Sequence, residues 1–223
     1  MTVTRTIGLG VLLSGGGTTL ENFFAKIDAG ELPAQVKVVV SSRADAYGLM
    51  RAKNHGVDHF VVPSKNYRRV GQPPDWVGMS AEVCKILDRY QVDLIALAGF
   101  MCQFVIPQRY EGRVMNIHPA LIPAFCGPRL YGHRVHEAVL EYGTKVSGCT
   151  VHFADQQYDH GPIIVQRTVP VLDDDTPETL AKRVFAQECI AYPEAIRLFA
   201  EGRLKIEGRR TRILAPEDTP ETP

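Results

Sequence analysis

The chain of 223 residues holds little that marks a specialised environment. Its five cysteines, Cys84, Cys102, Cys126, Cys149 and Cys189, are odd in number and scattered, with no C-x-x-C pair. That usage argues against a disulfide scaffold and suits a reducing, cytoplasmic setting. Net charge is absent too: 25 Lys and Arg balance 25 Asp and Glu, so no overall field draws the chain to nucleic acid or to anionic lipid. Small molecules are the expected partners. No apolar run approaches the ~20 residues that span a bilayer. Arg5 followed by Ile7 to Leu13 has the outline of a signal peptide, yet Ser14-Gly15-Gly16-Gly17 leads into a helix start at Thr18-Thr19-Leu20 with no small-x-small cleavage site. A P-loop is missing, since no Gly-Lys-Ser or Gly-Lys-Thr occurs. So is a metal motif: His136-Glu137 opens an H-E-x-x-H pattern, but Leu140 stands where the second His belongs. His55, His59, His152 and His160 show no ligand spacing and read as structural or exposed.

What is present is an ordinary globular composition, 45% apolar and 22% charged, at a length that one α/β domain can reach. Apolar runs at Ile7 to Leu13, Val36 to Val40, His59 to Val62 and Leu94 to Ala98 alternate with helix-spaced stretches, the rhythm of βαβ units. This predicts a Rossmann-like, mostly parallel twisted sheet with helices on both faces. Helices are expected over Ala44 to His55, ended by Gly56, and over Ser80 to Tyr90, with a surface loop from Ser64 to Gly78. Val114 to Ile117, Val146 to Phe153 and Ile163 to Val169 read as further strands around a short helix at His136 to Tyr142, which suggests an added antiparallel edge. Thr176 and Pro177 open a long helix that Pro193 is expected to kink or break. After a short strand at Leu204 to Ile206, the domain of residues 1–208 should give way to a disordered tail, 209–223, poor in apolar residues.

Three places carry chemistry. The turn Ser14 to Thr19 joins a strand to a helix, where free amides and the positive helix end suit a phosphate, although glycines also serve simply to make a tight turn. It is no dinucleotide fingerprint, because Ser41-Ser42-Arg43 stands where the second strand would end in an acidic residue. Asn116 and His118 sit two apart at the end of a strand, so their side chains share a side. An amide there can hold an oxyanion and an imidazole can move a proton, while the plainer alternative is a turn cap and a hydrogen-bonded strand-end histidine. Asp159, in a Tyr-Asp-His-Gly-Pro turn, would matter if the turn brought its carboxylate to His118. Glu188 lies on one helical face with Leu180, Val184 and Ala191, so its carboxylate needs a partner: Arg183, Arg197 or a ligand.

These segments together resemble the folate-dependent glycinamide ribonucleotide (phosphoribosylglycinamide) formyltransferases of purine biosynthesis, from about Ile7 to Glu207. The likeness rests on Ser41 to Leu49, Leu97-Ala98-Gly99-Phe100-Met101, Asn116-Ile117-His118-Pro119, Leu121-Ile122-Pro123, Val151-His152-Phe153, Asp159 with Gly161-Pro162, and Gln187-Glu188 with Tyr192-Pro193. It implies direct formyl transfer from 10-formyltetrahydrofolate, a co-substrate, to the amine of glycinamide ribonucleotide, with no metal, tightly bound cofactor or covalent enzyme intermediate. It further implies that Asn116 and His118 stabilise the tetrahedral intermediate and that Asp159 keeps His118 charged. Gly17, Thr18, Thr19 and Glu188 would take the ribonucleotide. Met101, Cys102, Phe104, Asp155 and Asp159 would line the folate pocket.

Two departures stand out. Cys102 occupies a position where many members carry Arg or Lys, and the loop Phe125 to Gly132 is longer than in the familiar bacterial form. Other formyl-handling enzymes share the Asn-x-His and Asp pattern. A tRNA-directed formyltransferase is expected to bring a basic C-terminal domain and a formyltetrahydrofolate deformylase an N-terminal regulatory one, and neither is read here. A formyltetrahydrofolate deformylase and a formyltransferase for another amine remain the alternatives, with a non-catalytic folate or nucleotide binder behind them, since a degenerate binder has no need of Asn116, His118 and Asp159 together.

Overall fold

A computed structural model describes residues 5–216. One compact unit ends at Met115 and a second begins at Asn116. The first contains β1 (Ile7–Leu13), α1 (Thr18–Asp28), β2 (Ala34–Ser41), α2 (Tyr47–Asn54), β3 (His59–Val61), α3 (Trp76–Arg89) and β4 (Leu94–Leu97). Its strands run parallel in the order β3-β2-β1-β4. Every residue of β1 is buried, the unalternating pattern of a strand covered on both faces. Helix α3 begins four residues before the expected start, because the Asp75 carboxylate caps it by accepting from the Gly78 N–H at 2.8 Å. Sequence spacing alone placed those residues in a loop.

Strand β5 (Val114–His118) crosses the boundary, so that Asn116 and His118 open the second unit. There follow α4 (His133–Tyr142), the antiparallel pair β6 (Val146–Phe153) and β7 (Ile163–Pro170), α5 (Pro177–Ala200), and β8 (Leu204–Glu207) with β9 (Arg210–Ile213). Strand order here is β6-β7-β9-β8, with β9 parallel to β7 and antiparallel to β8. Helix α5 packs on β6, β7 and α4 through Leu180, Val184, Ala191, Tyr192, Ala195 and Ile196.

Two expectations are corrected. Helix α5 passes unbroken through Pro193. The missing hydrogen bond and ring clash cost about 3 kcal/mol, but Tyr192, Ala195 and Ile196 are wholly buried around it, and each large apolar side chain contributes about 1.5–3 kcal/mol by burial. The tail expected from Arg209 is not uniformly unstructured, since Arg210–Ile213 form β9 and Leu214 N–H donates to the Arg203 carbonyl at 2.8 Å. Backbone pairing to β8 supplies what the apolar-poor sequence lacks. Residues 217–223 of that expected tail lie outside the described residues.

Candidate active site

In the second unit, the end of β5 delivers Asn116 and His118 to one side, and β6 lays His152 beside them. The His152 ring is buried; its Nδ1–H donates to the Phe153 carbonyl at 2.8 Å, leaving Nε2 to accept from Asn116 Nδ2 at 3.2 Å. The other Asn116 N–H points to Asp159 Oδ1 at 3.3 Å. His118, also buried, donates from Nε2 to the Phe125 carbonyl at 2.8 Å, so Nδ1 turns to Asp159 Oδ2 at 3.5 Å. That same Oδ2 accepts the Gly127 N–H at 2.9 Å. Asn116, His118 and Asp159 are thus brought together.

The loop from β6 to β7 turns Asp159 inward through a left-handed backbone, φ 52°, a conformation Asp tolerates better than most residues. Burial alone would raise its carboxyl pKa, but the neighbouring His152, His118 and Gly127 N–H together outweigh it, and the group sits below its ordinary value. For His118 the balance falls the other way. Burial outweighs the attraction of Asp159 and the Phe125 carbonyl, with His152 adding to the lowering, and the imidazole is held below its usual value. Asp159, 3.5 Å away, does favour the charged ring, the sense of the expectation that it keeps His118 charged, but burial is the larger effect.

Spacing did not select His152, which entered only within the Val151-His152-Phe153 motif and is one of three buried polar residues of β6, with Ser147 and Thr150. The carbonyl of Phe125 and the N–H of Gly127 were equally invisible, since backbone atoms leave no trace in side-chain patterns. Both belong to the long loop after Pro123.

Glu188 projects from α5 with neither hydrogen bond nor ion pair among the described residues; its expected cation Arg183 instead holds Asp175 at 2.6 and 2.8 Å. Burial pushes the Glu188 carboxyl up to about 7. Asp155, expected in the folate pocket, already accepts from the Gln157 N–H at 2.8 Å and bonds His160 Nδ1 at 2.7 Å.

In the first unit, Gly17 precedes α1 with φ 69°, and a Cβ there would lie 2.6 Å from Gly48 Cα, so only glycine fits. No side chain caps α1, which leaves the amides around Thr18 and Thr19 for another acceptor. Arg51 braces the turn, donating to the Gly16 carbonyl at 2.9 Å and to Glu21 at 2.7 Å. Met101 is exposed, with its N–H donating to Ser14 Oγ at 2.8 Å, whereas Cys102 and Phe104 are buried in that unit. Of the three residues expected to line a folate pocket there, only Met101 presents much surface.

A buried imidazole beside a carboxylate and an amide donor, at the end of an α/β strand, is the equipment of an acyl-transfer enzyme. The formyl transferase family model matches residues 9–196, and the chain belongs to that family. Among its relatives, the phosphoribosylglycinamide formyltransferase of Haemophilus influenzae is 36% identical over 89% of this chain and 90% of that protein. The chloroplastic phosphoribosylglycinamide formyltransferase of Arabidopsis thaliana is 38% identical over 88% of this chain, which spans 66% of that longer protein. The crystal structure of glycinamide ribonucleotide transformylase 1 from Symbiobacterium toebii superposes with a TM-score of 0.85 at 46% identity, covering 94% of this chain and 95% of that one. A formyltetrahydrofolate deformylase from Pseudomonas syringae shares the fold alone, at 21% identity and a TM-score of 0.81. No helix among the described residues is long and apolar enough to cross a membrane.

Proposed function

We propose that this chain transfers the formyl group of 10-formyltetrahydrofolate to the amine of glycinamide ribonucleotide, a step of purine biosynthesis, in the cytoplasm. The observation that carries the reading is the Asn116–His118–Asp159 cluster, in a chain that is a family member with relatives bearing that activity in their names. The amine attacks the formyl carbon, its electron pair forms the new C–N bond, and the carbonyl electrons move onto oxygen. His118, neutral at rest, has its Nδ1 lone pair facing Asp159. A proton taken at that atom makes an imidazolium whose charge Asp159 offsets, and the cation steadies the oxyanion before returning the proton to the departing folate nitrogen. The 3.5 Å separation shortens to a hydrogen bond once that proton arrives.

Asn116 serves the oxyanion by exchanging one of its two long hydrogen bonds, 3.2 and 3.3 Å, for the substrate. Glu188 is assigned to a hydroxyl or amine of the ribonucleotide, since no hydrogen bond or ion pair among the described residues claims it. Gly17, Thr18 and Thr19 offer amides for a phosphate. Met101 and the loop carrying Asp155 and Asp159 are assigned to the folate. Cys102 and Phe104 act there through packing, and no tightly bound cofactor enters. The test is an assay with 10-formyltetrahydrofolate and glycinamide ribonucleotide that follows release of tetrahydrofolate. Turnover that depends on the amine supports the reading. Turnover without it points to hydrolysis of the donor, and no turnover with either sinks the assignment.

A further inference from the structure

Residues 154–162 join β6 to β7 and carry Asp159. The loop is pinched at its base, where the Phe153 N–H donates to the Pro162 carbonyl at 2.9 Å and a Cβ on Gly161 would lie 1.9 Å from the Phe153 carbonyl oxygen. Inside the loop, the Asp155 carboxylate bonds the Gln157 N–H at 2.8 Å and His160 Nδ1 at 2.7 Å. A further restraint comes from 49 residues away. Arg209, in the turn between β8 and β9, donates from Nη2 to the His160 carbonyl at 2.9 Å, and its Nη1 lies against the His160 ring, 2.6 Å from Nε2 and 3.3 Å from Nδ1.

Arg43, Arg109 and Arg183 each fork onto a carboxylate, but Arg209 grips a peptide carbonyl and an imidazole. It therefore reads the conformation of the loop rather than its charge. The grip is anchored, because Arg210 pairs with Ile163 at the exit of the loop. Asp159, directly before the gripped residue, holds a left-handed backbone, a state that persists only where surrounding structure enforces it.

We propose that Arg209 is a positioning residue for formyl transfer: its clasp on His160 fixes the 154–162 loop in the shape that aims the Asp159 carboxylate at His118. The proposal rests on the role given above to Asp159. A displacement of about 1 Å in a catalytic group can cost up to about a hundredfold in rate, so this clasp has leverage beyond its own strength.

The test compares Arg209→Ala, Arg209→Lys, His160→Ala and the Arg209→Ala/His160→Ala double variant in the full chain, with Arg212→Ala on the same hairpin as control. In Arg209→Ala, amides 155–160 should exchange roughly fivefold faster without substrate, since the loop opens locally. Its kcat should fall about tenfold while KM for the ribonucleotide stays within about twofold. Arg209→Lys should recover part of the rate, because an ammonium can still reach the His160 carbonyl. The double variant should lose little more than Arg209→Ala, as both break one clasp. A kcat within about twofold of wild type in Arg209→Ala, an equal loss in Arg212→Ala, or a loss confined to KM would overturn the proposal. Unchanged exchange of the loop would overturn it independently of the reaction, whereas faster exchange in a chain that fails to transfer formyl sinks the functional reading and leaves the clasp in place.

Discussion

Asp159 and Glu188 are carboxylates of the same unit, placed in opposite surroundings. Asp159 has donors at hand, an amide side chain and a backbone N–H, with two imidazoles beside it, and sits below its ordinary pKa although burial works against it. Glu188 has burial without donors and is pushed up to about 7. The difference teaches that a carboxylate already supplied with partners serves the protein's own groups, while one left without them is available to a ligand. Breaking the first should damage chemistry and spare binding. Breaking the second should do the reverse.

The largest effect is expected at the Asp159 end. His118→Ala or Asp159→Asn should lower kcat about 10²–10⁴-fold with ribonucleotide binding retained, as read by steady-state kinetics alongside calorimetric titration. A near-normal rate in either variant would remove its assigned role. Next, Glu188→Gln should raise KM for the ribonucleotide about tenfold, the size of one lost charged hydrogen bond, with kcat less affected. It should also remove from kcat/KM an ionisation near 7 that belongs to the free enzyme. A drop in kcat alone would undo the contrast between the two groups.

Stability should separate them by sign. The raised Glu188 pKa means that the folded state holds its proton more tightly, so stability falls as pH rises from 4.5 to about 7. Glu188→Gln should therefore raise Tm at pH 8. Asp159 has a lowered pKa; its contribution is present above the ordinary value of 3.8 and is lost as pH falls below it, so Asp159→Asn should lower Tm at the same pH 8. Thermal scans of both variants side by side check this, and shifts of the same sign would refute it. The smallest effect concerns His136, buried with Nδ1 unpartnered and held down to about 4. Stability should be lost between pH 6.5 and about 4 as the unfolded chain takes up the proton, and His136→Leu should flatten that acid limb by a few degrees in Tm.

Much of this architecture could be read from the chain. The apolar runs gave β1, β6 and β7 almost to the residue, and Thr176-Pro177 marked the start of α5, because burial periodicity and capping are local properties. Strand β9 escaped, since its sequence is polar and it exists through pairing with β8 and β7. His152 escaped too, having no spacing partner: its partners Asn116 and Asp159 lie 36 residues earlier and 7 later in the sequence.

The sequence by itself determined the class of fold, the family, and the side-chain types available for chemistry, because hydrophobic period and motif order are written along one dimension. Only tertiary structure decided that burial lowers the His118 pKa, that Arg183 binds Asp175 and not Glu188, and that a polar hairpin grips the loop bearing Asp159. Each of those depends on burial and on distances between residues far apart in the chain. No pattern of neighbours encodes them.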